Sequence, residues 1–145
     1  MAPMEIDAEQ RMRDIIAAES AHDVEKMLSF FTDDIFYEEV VVGGAVARGK
    51  DEWRPLLKAL YAAIPDYRVE MTSYFISGNR ECTEWIVSGT HRGDLPGLPA
   101  TGKSFSIRGV TVKELREGKI SRASSYYDRM SMLQQFGLLP STPQK

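Results

Sequence analysis

Tyr67-Arg68-Val69-Glu70-Met71-Thr72-Ser73-Tyr74-Phe75-Ile76-Ser77-Gly78-Asn79 is where the hydrophobic period of this chain changes. Before Asp66 the apolar residues recur at helical spacing. From Tyr67 onward they alternate, so Tyr67, Val69, Met71 and Phe75 are expected to share one strand face. Ser77-Gly78-Asn79 then has the composition of a hairpin turn. The chain therefore reads as helices first and a meander of antiparallel strands afterwards.

Upstream, Asp7-Ala8-Glu9-Gln10 has the spacing of a capping box, and Met12, Ile15 and Ile16 follow on one face, which predicts a helix from about Asp7 to Ser20. Asp23 is placed to cap a second, shorter helix with the stripe Val24, Met27, Leu28 and Phe31. Ile35 to Val42, β-branched and aromatic, predicts a strand that ends at Gly43-Gly44 and carries Glu38 and Glu39. Trp53, Leu56, Leu57, Leu60, Tyr61 and Ile64 form the strongest helical stripe, with Pro55 near its first turn and Pro65-Asp66 at its end.

Downstream, Arg80 to His91 reads as a strand with Trp85, Val87 and His91 on one face. The Gly- and Pro-rich loop from Arg92 to Gly102 is long enough to cap a cavity. In Phe105 to Leu115 the apolar parity flips from odd to even, which predicts a β-bulge at Gly109. Lys119 to Asp128 reads as a last strand in which Ile120, Ser124, Tyr126 and Asp128 share a face. A short helix from Met130 to Phe136 ends at Gly137, and Ser141 to Lys145 is expected to be a frayed tail. The sum is one α+β domain: a curved, antiparallel or mixed sheet roofed by three N-terminal helices, enclosing a conical pocket.

The chain has 145 residues, suited to one domain, and 18 basic against 21 acidic residues leave a net charge of −3, which argues against nucleic acid as a partner. One cysteine and two histidines cannot form an intrachain disulfide or the usual zinc site, so the expected chemistry uses no metal. No phosphate-cradling glycine loop or dinucleotide fingerprint is present, so no cofactor is expected. The absence of a long apolar run or secretory pattern leads to the expectation of a cytoplasmic protein with no membrane partner.

Asp128 is the first candidate for chemistry, because the parity that buries Ile120 also turns its carboxylate inward, where desolvation makes a carboxyl a usable general acid or base. Its alternative role is to cap the final helix through the N–H of Met130 or Ser131. Of Glu38 and Glu39 one must face the pocket, and parity does not say which. His91 could orient a carboxylate or serve as a structural histidine. Trp85 and Tyr126 could stack on a planar ligand or fill the core, and Arg108 could reach a ligand oxygen if the bulge re-aims it.

From Trp85 to Pro140 the segments Trp-Ile-Val-Ser-Gly-Thr-His-Arg-Gly, Leu-Pro-Gly-Leu-Pro-Ala-Thr-Gly-Lys, Arg-Gly-Val, Glu-Gly-Lys-Ile, Tyr-Tyr-Asp and Leu-Gln-Gln-Phe-Gly-Leu-Leu-Pro resemble the SnoaL-like polyketide cyclases, of the nuclear-transport-factor-two-like superfamily. The resemblance implies a homodimer that binds a small hydrophobic carbonyl compound. It also implies aldol-type ring closure with Asp128 as general acid/base and His91 in support. Ketosteroid isomerases of the same superfamily carry a base at a position resembling Glu39. Limonene-epoxide hydrolases need an Arg-x-Asp pair where this chain reads Thr83-Glu84-Trp85-Ile86, which demotes epoxide hydrolysis. A non-catalytic binder of small apolar ligands is the rival expectation.

Overall fold

The computed structural model describes residues 3–139, with side chains from Asp7 onward. Two helices open the chain, α1 (Pro3–Ser20) and α2 (Val24–Leu28), followed by strands β1 (Phe31–Glu39) and β2 (Val46–Arg48) and helix α3 (Lys50–Ala63). Strands β3 (Arg68–Ser77), β4 (Arg80–Thr90), β5 (Ser104–Arg116) and β6 (Lys119–Tyr127) follow, and α4 (Arg129–Gln135) closes the sequence of elements. The expected tail from Ser141 lies outside the described residues.

Asp23 caps α2 as expected, accepting a hydrogen bond from the Lys26 N–H at 3.1 Å. Asp7 is instead inside α1, which starts at Pro3, where a missing N–H costs the helix nothing. Phe31 opens β1 rather than ending a helix, and β2, only 3 residues long, has no visible hydrophobic alternation in the sequence.

The sheet runs β2-β1-β6-β5-β4-β3, antiparallel throughout except for the parallel pair β1–β6. Its concave face receives α1, α2 and α3. Ile15, Leu28, Ile35 and Ile120 are almost fully buried where these layers meet, each worth roughly 1.5–3 kcal/mol of burial. Trp53 of α3 stacks on Tyr37 at 4.6 Å and meets the Phe31 ring edge-on at 4.8 Å. A second cluster around Ile64, Val87, Ile107, Met132 and Phe136 fills the other end of the cone.

Strand register decides which side chains face the cone, and it departs from the sequence expectation in three places. On β6, Glu114 pairs with Arg122 but Leu115 pairs with Ile120, so Ser121 is an extra residue. A single bulged residue reverses every side chain beyond it. Ile120 faces the core, but past the bulge the inward residues are Ala123, Ser125 and Tyr127, while Ser124 and Tyr126 face out. A second shift, between Met71 and Ser73, reverses β3 in the same way: Val69 is buried and Phe75 is 60% exposed.

The bulge expected at Gly109 is absent. β5 pairs with β4 without interruption from Ser104 to Glu114. The parity flip has another cause: the inward face of β5 turns from apolar (Phe105, Ile107) to polar (Thr111, Lys113), while Val110 and Val112 lie on the outer face. Gly109 itself is needed for room, since a Cβ there would lie 2.3 Å from the Trp85 ring.

Candidate active site

The cone holds a cavity of about 480 Å³, within the usual size range for a small-molecule site. Met12, Ile15, Leu57, Leu60, Val87 and Ile107 make most of its wall apolar, and Leu95, Pro96 and Leu98 of the expected capping loop close over it. Few polar groups project into it, and they fall into two sets.

The first set is built on β1 and β6. Glu39, the last residue of β1, faces inward, and its Oε1 accepts hydrogen bonds from the Ala45 N–H at 3.2 Å and the Tyr127 hydroxyl at 3.1 Å. Its Oε2 accepts one from the Tyr37 hydroxyl at 3.2 Å. The Gly43-Gly44 turn makes the Ala45 contact possible: a Cβ on Gly44 would lie 2.2 Å from the Glu39 carbonyl oxygen. Burial holds Tyr37 well above the ordinary tyrosine range, and burial with the nearby Glu39 charge pushes Tyr127 up to about 12. Both phenols therefore stay protonated and donate. Arg129 caps the set from the mouth, its Nη1 donating to the Tyr127 oxygen at 3.4 Å.

A row of hydroxyls leads across the sheet to this carboxylate. Trp85 Nε1 donates to Thr111 Oγ1 at 2.8 Å, Thr111 lies 2.9 Å from Ser125 Oγ, and Ser125 contacts the Tyr37 phenol. An indole can only donate and a carboxylate only accept, so the chain is polarised toward Glu39.

The second set comes from α1, β4 and β5. Glu19 retains some surface, but that surface lines the cavity, so burial away from bulk water pushes its carboxyl up to about 7 against the opposing pull of Lys113. Glu19 makes no hydrogen bond among the described residues. Lys113, 4% exposed, donates from Nζ to Thr83 Oγ1 at 2.9 Å, and burial lowers its pKa. Beside it the Glu81 carboxylate is engaged by Arg11 at 2.9 Å and by the Tyr74 hydroxyl at 2.7 Å. Among the described residues no group of three or more His, Cys, Asp or Glu side chains is placed to hold a metal ion, and no helix is long and apolar enough to cross a membrane.

Residues 6–136 match the family model of the SnoaL-like polyketide cyclases. The chain belongs to that family. No curated protein matches this SnoaL-like sequence. Solved structures match its fold: AclR of Streptomyces galilaeus is 20% identical with a TM-score of 0.82, the alignment covering 97% of this chain and 91% of that one. A protein from Catenulispora acidiphila described as having a ketosteroid isomerase-like fold is 22% identical with a TM-score of 0.76, over 91% and 96% of the two chains. TsrD of Streptomyces laurentii is 19% identical with a TM-score of 0.80, over 96% and 99%. At such identities the likeness is one of fold.

Within this SnoaL-like fold, Glu39 and Trp85 line the cavity, and four other candidates lie elsewhere. Asp128 is exposed and caps α4, accepting the Ser131 N–H at 2.9 Å, because the Ser121 bulge reverses the parity that had pointed it inward. The same reversal places Tyr126 on the outer face, 44% exposed. Arg108 is exposed on that face too, since no bulge at Gly109 re-aims it. His91 is fully buried outside the cavity, stacked on Phe136 at 4.3 Å with Nδ1 3.1 Å from Thr101 Oγ1. The open choice between the two glutamates resolves to Glu39, as Glu38 pairs with Arg122 at 3.2 Å on the other side of the sheet.

Tyr37, Tyr127, Glu19 and Lys113 were missed from the sequence. Glu19 could have been found, for it lies seven positions after Met12 on the apolar stripe of α1, where a charged residue is out of place. Lys113 continues the odd parity of Phe105 and Ile107 once no bulge is assumed.

Proposed function

We propose that this SnoaL-like protein is a cofactor-independent enzyme that moves a proton at a carbon next to a carbonyl, with Glu39 as the general acid/base. The observation that carries this is the geometry of Glu39: inside an apolar cavity, its carboxylate is fixed by three donors and keeps one lone pair of Oε2 unused. A base held this way can face a substrate C–H without reorganising. Glu39 removes the proton, the resulting enolate carbon attacks a second carbonyl of the same molecule, and the alkoxide formed takes the proton back from Glu39. Atoms balance in this aldol closure, and nothing else is consumed.

The substrate class is a hydrophobic, polyketide-like carbonyl compound, supported by the apolar wall and by Trp85 as a stacking surface. A second copy of the chain would cover the outer sheet face, where Ile86, Val110 and Val112 are only partly buried and Tyr126 is exposed, giving a homodimer. The free thiol of Cys82 suits the reducing cytoplasm.

Hydrogen–deuterium exchange of β-tetralone, a bicyclic ketone, tests the reading by NMR in deuterated buffer. Wild type is expected to accelerate exchange, and Glu39→Gln to lose roughly 100-fold or more of that acceleration. If the ketone raises the melting temperature of wild type without any accelerated exchange, the protein is a binder and the catalytic reading fails.

A further inference from the structure

Five of the described lysines, Lys26, Lys50, Lys58, Lys103 and Lys119, retain access to solvent; Lys113 alone is buried. It lines the same cavity as Glu39 but from β5, two strands away across β6. A buried ammonium ordinarily has a carboxylate against it. Among the described residues no carboxylate lies within ion-pair distance of Nζ: Glu81, opposite it across the β4–β5 pair, engages Arg11 and Tyr74 through Oε2, and its Oε1 has no hydrogen-bond partner. What Nζ does have is one hydroxyl, Thr83 Oγ1, and an open, mostly apolar cavity.

We infer that Lys113 is a nucleophilic amine that captures hydrophobic aldehydes or ketones in this cavity as a Schiff base, with Glu19 as the proton carrier. The neutral nitrogen adds to the carbonyl carbon, the carbonyl oxygen gains a proton and the nitrogen loses one, giving a carbinolamine. A second proton, from Glu19, lets water leave as the C=N bond forms, and the iminium nitrogen then returns a proton to the Glu19 carboxylate. The net change is amine plus carbonyl to imine plus water, with no redox partner.

The charges around the amine suit that role. Glu19 and Arg11 face it from α1 and Glu81 from β4; burial outweighs the carboxylates and lowers the pKa of the amine. Glu19, its carboxyl pushed up to about 7, can both release and accept a proton at neutral pH. Thr83 Oγ1 accepts from one N–H of Nζ, which fixes the nitrogen while the lone pair of the neutral amine stays unengaged.

The inference shares a cavity with the Glu39 reading but not its chemistry, and the probe separates them. Naphthaldehyde has no proton on a carbon next to its carbonyl, so Glu39 has nothing to remove. The full-length protein is incubated at neutral pH with one equivalent of naphthaldehyde and cyanoborohydride, which reduces only the imine, and the adducts are mapped by peptide mass spectrometry. Lys113 is expected to be modified faster than any of the five solvent-accessible lysines, because a lowered pKa raises the neutral fraction of the amine at a given pH. Lys113→Met, apolar and of similar length, is expected to lose that fast adduct and keep the slow ones. Adducts spread over the exposed lysines with none at Lys113 overturn the inference, and the wild-type map alone decides it even if the variant does not fold.

Discussion

Glu39 and Glu19 are two carboxyls in one apolar cavity, and the fold treats them in opposite ways. Glu39 lies on a strand end where a glycine turn and two phenols supply donors to both of its oxygens. Glu19 projects from the apolar stripe of α1 with no donor, and burial alone raises its pKa to about 7. The contrast shows that cavity depth does not set the character of a buried acid: the hydrogen bonds that replace water do. One carboxyl is held by three donors, and the other is a group that changes protonation near neutrality.

The sharpest way to press that contrast is through pH. Folded Glu19 keeps a proton that the unfolded chain has lost between pH 4.5 and about 7, so its contribution to stability falls as pH rises through that window. Glu19→Gln is therefore expected to be more stable than wild type by up to about 3 kcal/mol at pH 8 and by only about 1 kcal/mol at pH 5. Urea unfolding at the two pH values measures this. An equal gain at both would mean that the carboxyl is well solvated.

A smaller effect should strike the Glu39 side alone. Gly109→Ala puts a methyl group 2.3–2.8 Å from the atoms of the Trp85 ring, which must shift and leave Thr111, the start of the hydroxyl row toward Glu39. Overpacking of this kind costs about 1–3 kcal/mol. Tryptophan fluorescence should report the displaced indole, while the pH dependence of stability that Glu19 sets should stay as in wild type.

Asp128 provides the least effect and a control outside the cavity. Asp128→Ala removes a helix cap and should cost about 1 kcal/mol of stability, with β-tetralone exchange unchanged. A large fall in exchange would return chemistry to Asp128 and break the comparison of the two inner carboxyls.

Much of the fold was legible in the sequence because it rests on periodicity: the stripe of α3 and the turn at Ser77-Gly78-Asn79 lie where spacing puts them. The site was less legible because it depends on parity beyond a bulge. Ser121 and the shift after Met71 leave no mark in composition, and each reverses the residues that follow. Asp128 and Tyr126 were misplaced for that reason, and so was Phe75. Gly109 drew attention as a break in β5, whereas its role is to admit the Trp85 ring. Glu39 could be proposed through the ketosteroid isomerases, but the choice over Glu38 needed the pairing of β1 with β6.

That pairing also bears on when the site forms. β1 lies parallel to β6, so the hydroxyl that holds Glu39 comes from a residue 88 positions later in the chain. Loop closure over such a distance is slow, and contacts of this range form late in folding. During synthesis the first three helices and β1 emerge with an unpaired strand edge that waits for β6. Until then the apolar wall of the cone has nothing to enclose, and the growing chain exposes the surface most prone to association.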